Sequence, residues 1–264
     1  MATKIATQGP STSSPYIVCS DWDGTITTRD SNDCATDELG FGSDRRRELN
    51  LEILNKVSTF RDAFAEMLKS VSDNGHSFED VKQYLVKHIG LDPGFKECFS
   101  WLEDAEIPLV VVSSGMKPII QACLANLVGP EDAAKIDILA NDVELVNDKE
   151  WRIVYRHPES GFGHDKSRST ALYKQLAHNP TIFFCADGVS DMSAAKACDM
   201  LFVKIIPGHT NDLSVFCDRE NIPYVDFTDF RKVKTIIASI VGGEKTIKQA
   251  LEEAKAERDA SKQA

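Results

Sequence analysis

"YIVCSDWDGTIT", residues 16–27, runs from an apolar strand signal straight into two aspartates, a tryptophan and a glycine. Tyr16 to Ser20 reads as a short buried strand, and the Asp-Gly pair behind it marks a turn. Asp21 and Asp23 stand one residue apart, and carboxylates that close disfavour each other unless a cation or a proton is shared between them. The same pattern recurs downstream. "IPLVVVSSGMKP" (107–118) gives a strand over Leu109–Val112 that ends in Ser113-Ser114-Gly115, followed by a helix from Lys117 to about Leu127 with Pro118 in its first turn. "TIFFCADGVSDMSAAK" (181–196) is again a strand, an Asp-Gly turn carrying Asp187 and Asp191, and a helix.

Strands and helices alternate through the rest of the chain. "IDILANDVEL" and "WRIVYR" suggest a hairpin over 136–156, "GHDKSRSTALYKQL" opens a helix, and "MLFVKI" and "PYVDF" read as further short strands. Polar motifs at strand C-termini in such an alternation predict an α/β fold, a doubly wound parallel-sheet (Rossmann-like) core with its ligand site beyond the carboxyl ends of the strands. Between the first two strands the pattern is helical instead. Phe60, Phe64, Met67, Leu68 and Val71 share one face, and Phe78, Val81, Leu85 and Ile89 repeat the spacing. The expected organisation is a flexible tail over 1–14, a core built from 15–32 and 101–264, and a helical insertion over 33–100. The stretch after Gly243 is expected to be a charged, partly exposed helix without chemistry.

Composition narrows the function. The 264 residues carry a net charge of −11, which argues against a general nucleic-acid binder, although a metal ion and one or two cationic side chains can still serve a small anion. Seven scattered cysteines with no C-x-x-C pair read as reduced thiols and argue against a structural zinc site. No signal-peptide or membrane-spanning pattern is present, so a soluble, cytoplasmic protein is expected, with the nucleus left open. The oligomeric state is not legible.

The polar clusters match the needs of phosphoryl transfer: a nucleophile, a proton donor for the leaving oxygen, a cation and neutralising donors. Asp21 suits the nucleophile that forms an aspartyl phosphate, and Asp23 the acid and then the base. The two point the same way only if the chain stays extended through Trp22. Asp187 is placed to complete a magnesium site with Asp21 and a backbone carbonyl near Asp23, and Asp191 either joins it or steadies the turn. Ser113, Ser114 and an exposed Gly115 amide at a helix N-terminus suit phosphate oxygens, and Lys166 a fixed positive charge. Each piece alone has a plainer reading as a turn, a cap or a surface lysine. The string D-x-D-G-T arises by chance in a chain of this length on the order of a few times per thousand.

The quoted motifs "DWDGT", "VVVSSG", Lys166 in "GHDKS" and "ADGVSD" resemble those of the haloacid dehalogenase-like phosphohydrolases. The helical insertion looks like the cap of the phosphoserine phosphatase-like branch, and "DSNDCATDELGFG" and "LDPGF" look like an uncharacterised fungal phosphatase group within it. The resemblance implies Asp21 as nucleophile and metal ligand, and Asp23 as acid/base. It implies Ser113 and Gly115 as phosphate binders, Lys166 as the neutralising lysine, Asp187 as a Mg2+ ligand and Asp191 as its supporting carboxylate. Ala186 departs from the glycine usual before the last motif's aspartate, and Ser190 from an asparagine. In the cap, Asp30, Asp33 and Arg61 are candidates for reading the substrate, the acids an amino group and the arginine a carboxylate. Arg45-Arg46-Arg47 reads as a solvated helix face, and His164 as a possible neighbour of the site. The expected activity is magnesium-dependent hydrolysis of a small phosphomonoester. A phosphotransferase or mutase of the same superfamily, or a receiver-like phospho-acceptor module, remains the alternative.

Overall fold

The computed structural model describes residues 12–261. The expected tail over 1–14 falls mostly outside them. Seven strands alternate with helices: β1 (Tyr16–Ser20), α1 (Ser31–Leu39), α2 (Ser43–Leu54), α3 (Phe60–Asp73), α4 (Phe78–His88), α5 (Phe95–Asp104), β2 (Leu109–Met116), α6 (Lys117–Val128) and α7 (Pro130–Ala133). There follow β3 (Asp137–Leu145), β4 (Trp151–Val154), α8 (Lys166–Lys174), β5 (Thr181–Ala186), α9 (Met192–Ala195), β6 (Met200–Lys204), α10 (Asp212–Glu220), β7 (Tyr224–Phe227), α11 (Phe230–Val241) and α12 (Ile247–Ser261). The fold is α/β, with mostly parallel strands, as the sequence leads one to expect. The chain divides into two compact units. One comprises Thr27–Leu91 and Val111–Lys166, the other 12–26, Asp92–Val110 and 167–261.

In the second unit β1, β5, β6 and β7 lie side by side in that order, all parallel. Their residues are buried on both faces, which is why these strands read as continuous apolar runs rather than alternating ones. The register pairs Ser20 with Cys185 and Ala186 with Val203. The C-terminal ends of β1, β5 and β6 are therefore level, and Asp21, Asp187 and Lys204 emerge at the same edge. Phe95, Phe227 and Phe230 pack edge to face and fix α5 and α11 to one another. The charged helix α12 buries Ala250 and Ala254, and its Arg258 lies 3.9 Å over the Tyr224 ring.

In the first unit β3 and β4 form the expected hairpin, and α1, α2, α3, α4 and α6 pack around it. Phe64, Met67, Leu68 and Val71 of α3 and Phe78, Val81 and Leu85 of α4 are buried on the faces their spacing predicts. Thr59 caps α3, and Ser77 and Asp80 form a capping box on α4. Strand β2 is longer than its apolar run. It continues through Ser113, Ser114, Gly115 and Met116 with every residue buried, because sheet pairing rather than hydrophobicity carries its last turn of sequence. Trp151 joins hairpin and helices: its ring packs edge-on to Phe78 at 5.4 Å and its Nε1–H donates to His76 O at 3.0 Å. Trp151→Ala is expected to cost about 3–5 kcal/mol by leaving a cavity there, read as a lower midpoint in urea unfolding.

Candidate active site

Asp21 directly follows β1, its amide donating to Cys185 O at 2.9 Å. The chain then leaves the sheet in one wide, irregular turn over Trp22–Ile26, anchored by the fully buried Trp22. Asp23, buried at φ −72° and ψ 123°, keeps an extended backbone, and Gly24 reverses the chain at φ +75°. Glycine is required there twice over: the φ is left-handed, and a Cβ would lie 2.2 Å from Asp187 Oδ2. The Thr25 hydroxyl lies 3.4 Å from Asp187 Oδ1. Asp187 follows β5, and Asn211 Nδ2 holds its carbonyl at 2.7 Å. Asp191 is fully buried and accepts from the Gly188 amide at 3.1 Å, so it steadies the turn as well as facing its neighbours.

Carboxylate oxygens of Asp21, Asp187 and Asp191 lie within 4.8 Å of one another. This all-oxygen set suits a hard divalent cation. Asp23 is not one of the three. Ala186 has an ordinary strand backbone, paired with Val203, and no left-handed φ, so the position makes no demand for glycine. The sequence reading missed Thr25 and Asn211. Asn211 leaves one local signal, its place before a helix, where its Oδ1 caps the Ser214 amide.

In the other unit, the end of β2 is tightly held. Ser113 Oγ accepts from the Gly115 amide at 2.9 Å, so that amide is buried and engaged rather than exposed at a helix N-terminus as expected. Asn141 Nδ2 donates to Ser114 O at 2.7 Å, and its Oδ1 accepts from the Arg156 amide. The Ser114 hydroxyl is buried and has no hydrogen-bond partner among the described residues. Lys166 is fully buried, a costly position for an ammonium group outside a polar site. His164 Nδ1 lies 2.6 Å from Ser113 O; a carbonyl only accepts, so Nδ1 carries the proton. Burial pushes this histidine down to about 3, with Lys166, His157 and Arg156 adding to the effect, so the ring is neutral.

The candidate specificity residues are occupied within the same unit. Asp30 is the N-cap of α1, accepting from the amides of Asn32 and Asp33 at 2.7 and 2.9 Å. Burial raises its pKa, opposed by those amides, Arg46 and Lys166. Arg46 binds Asp33 at 2.7 Å and Asp37 through two contacts of 2.6 and 2.8 Å, and its side chain is only 14% exposed. The expected solvated arginine face holds for Arg45 and Arg47 and not for Arg46, whose partners come from α1 and were invisible to local reading. Arg61 is fixed to Asp62 and donates to Pro158 O at 2.6 Å.

Residues 18–196 match the family model of the haloacid dehalogenase-like hydrolases. The polyol phosphate phosphatase PYP1 of Saccharomyces cerevisiae is 42% identical over 89% of this chain and 98% of its own length. Pdp3-interacting factor 1 of Schizosaccharomyces pombe is also 42% identical, over 82% of this chain and 92% of its own. Among solved structures, a phosphoserine phosphohydrolase-like protein from Francisella tularensis superposes with a TM-score of 0.63 at 16% identity, covering 84% of this chain and 99% of that one. At that identity the likeness is one of fold.

Two outcomes are expected from this geometry. Gly24→Ala should displace the Asp187 carboxylate and weaken divalent-cation binding, measured by titration calorimetry, roughly 10–100-fold. His164 is held neutral in the fold, whereas in the unfolded chain it protonates below about 6.5. Its contribution to stability is thus intact above that pH and is lost as pH falls toward 3. The loss is about 2 kcal/mol between pH 8 and pH 5, and urea unfolding of His164→Asn should lack that component.

Proposed function

The chain belongs to the haloacid dehalogenase-like hydrolases, and on that premise we propose that it is a magnesium-dependent phosphatase of small polyol phosphates acting through an aspartyl phosphate. The observation that carries the reading is the convergence of Asp21, Asp187 and Asp191 at the carboxyl ends of parallel strands. Three carboxylates in that space call for positive charge, and their oxygen donors are those Mg2+ prefers. Asp21, Asp187, Asp191 and a carbonyl at Asp23 would hold the ion. When bound, it offsets the charge of nucleophile and phosphate.

In this mechanism an Asp21 oxygen attacks phosphorus in line with the ester oxygen. The new acyl-phosphate bond forms as the ester P–O bond breaks, and Asp23 gives its proton to the departing alkoxide. Asp23, now ionised, takes a proton from a water molecule that attacks the same phosphorus. The acyl-phosphate bond breaks, inorganic phosphate leaves, and Asp21 is restored as a carboxylate. Ser113, Ser114 and Lys166 are assigned to the phosphoryl oxygens, and the Gly115 amide, engaged by Ser113 Oγ, is assigned to orienting that hydroxyl; the buried, unpartnered Ser114 hydroxyl supports a ligand there.

The helical segment 33–100 is assigned the reading of the leaving group. Its charges favour an uncharged one. Arg46 is neutralised by Asp33 and Asp37 and Arg61 by Asp62, and Asp30, just before the segment, accepts two amide hydrogen bonds at Oδ1. An amino acid phosphate would need an acid and an arginine released from those pairs, at a desolvation cost. A polyol needs only hydroxyl and amide partners. The substrate of the yeast relative points the same way.

With Mg2+ present, the protein should release inorganic phosphate from small polyol phosphates with a higher kcat/KM than from phosphoserine. Asp21→Asn should lower kcat on the order of 10^3-fold or more. Undiminished turnover in that variant would remove Asp21 from the mechanism, and a preference for phosphoserine would overturn the substrate assignment.

A further inference from the structure

Lys204 ends β6 one residue beyond Val203, and Asp187 follows β5 one residue beyond Ala186, the partner of Val203. Its side chain is only 10% exposed, and its Nζ donates to Asp92 Oδ2 at 2.6 Å and to Thr25 O at 2.8 Å. Asp92 is 1% exposed and fully engaged. Its other oxygen accepts from the amides of Gly94 and Phe230 at 2.9 and 3.0 Å, and its own amide donates to Ile26 O at 2.9 Å. The ammonium group thus sits on a rigid acceptor and points its remaining reach at a carbonyl in the turn between Asp21 and the first helix. The main chain of the same residue braces the other half of the carboxylate cluster: Asn211 Nδ2 is shared between Lys204 O at 3.0 Å and Asp187 O at 2.7 Å.

Stability alone does not account for a lysine here. A buried ion pair is commonly matched or exceeded by apolar side chains of the same volume, and a lysine gives up much rotamer freedom to be fixed. An apolar residue would fill the space but could not hold the Thr25 carbonyl. We infer that Lys204 is a positioning residue for the phosphatase reaction: its ammonium group, seated on Asp92, fixes the Trp22–Ile26 turn that carries Asp23, while Asn211 ties the same strand end to Asp187. It touches no substrate. Its effect is to keep acid, nucleophile and metal-binding carboxylate in register while the leaving group departs. The inference rests on the proposed phosphatase activity for its consequence, and on the hydrogen bonds alone for the brace.

The test compares the wild type with Lys204→Met, Lys204→Arg and Asn211→Ser by two readouts. The first is amide hydrogen exchange of the peptide spanning 21–27, which reports the brace without reference to activity. The second is steady-state hydrolysis of an aryl phosphate with Mg2+ varied. Lys204→Met is expected to exchange at least about tenfold faster over 22–27 while β5, β6 and β7 stay protected. Its kcat should fall on the order of a hundredfold with KM little changed, since misplacement by about 1 Å has that effect. Lys204→Arg, which keeps charge and donors, should recover a good part of both. Asn211→Ser keeps the α10 cap but loses both carbonyl contacts, and should raise the Mg2+ concentration for half-activity roughly tenfold. Wild-type exchange over 22–27 together with wild-type kcat in a folded Lys204→Met overturns the inference. Should that variant not fold, wild-type kcat and Mg2+ dependence in Asn211→Ser does so. If the wild type hydrolyses no phosphomonoester while Lys204→Met still deprotects 22–27, the phosphatase reading falls and the brace stands.

Discussion

Three carboxylates within 4.8 Å of each other, two of them buried, set the terms for everything around them. Such a group holds together only where positive charge is available and where the backbone cannot relax to spread the charges apart. The fold meets the second condition with parallel strands whose ends are level: the Ser20–Cys185 and Ala186–Val203 pairs bring Asp21 and Asp187 out side by side. Gly24 then lets the turn pass so close to Asp187 that no side chain fits. The Gly188 amide on Asp191 and the Asn211 amide on the Asp187 carbonyl remove the remaining slack. Like charge is concentrated at one edge and opposed by a sheet that is apolar on both faces.

The same logic separates chemistry from recognition. In the proposed mechanism the carboxylates at the strand ends act at phosphorus and contain nothing that would identify what the phosphate is attached to. Two arginines of the helical segment are paired within it: Arg46 with Asp33 and Asp37, Arg61 with Asp62. A surface whose charges are already satisfied selects by shape and neutral hydrogen bonding rather than by ion pairing. The proposed preference for hydroxylated over zwitterionic phosphates rests on those pairs.

Much of this was legible from residue order. Strands β1 and β5 are bounded by apolar runs that stop at aspartate, and a strand buried on both faces leaves a signal that needs no partner to interpret. Helices α3 and α4 announced their buried faces by spacing. What could not be read was whatever depended on distant partners. Strand β2 extends through Ser113 to Met116 because pairing continues after its hydrophobicity stops. Arg46 looks like its two neighbours until α1 is folded against it. The Gly115 amide, open in the sequence, is used by Ser113 Oγ two residues away. Lys204 and Asn211 carry no motif: one ends a strand and the other begins a helix. Their meaning appears only when Asp92, Thr25 and Asp187 are brought beside them from elsewhere in the chain.

In the proposed mechanism Asp21 forms a covalent bond to the phosphoryl group. The direct test is a single turnover with a 32P-labelled polyol phosphate and Mg2+, quenched in acid within milliseconds, followed by mapping of the labelled peptide. Acid-stable, hydroxylamine-sensitive label is expected on the peptide containing Asp21, appearing before free phosphate. Release of free phosphate with no label passing through the protein, or label carried on another residue, would contradict it.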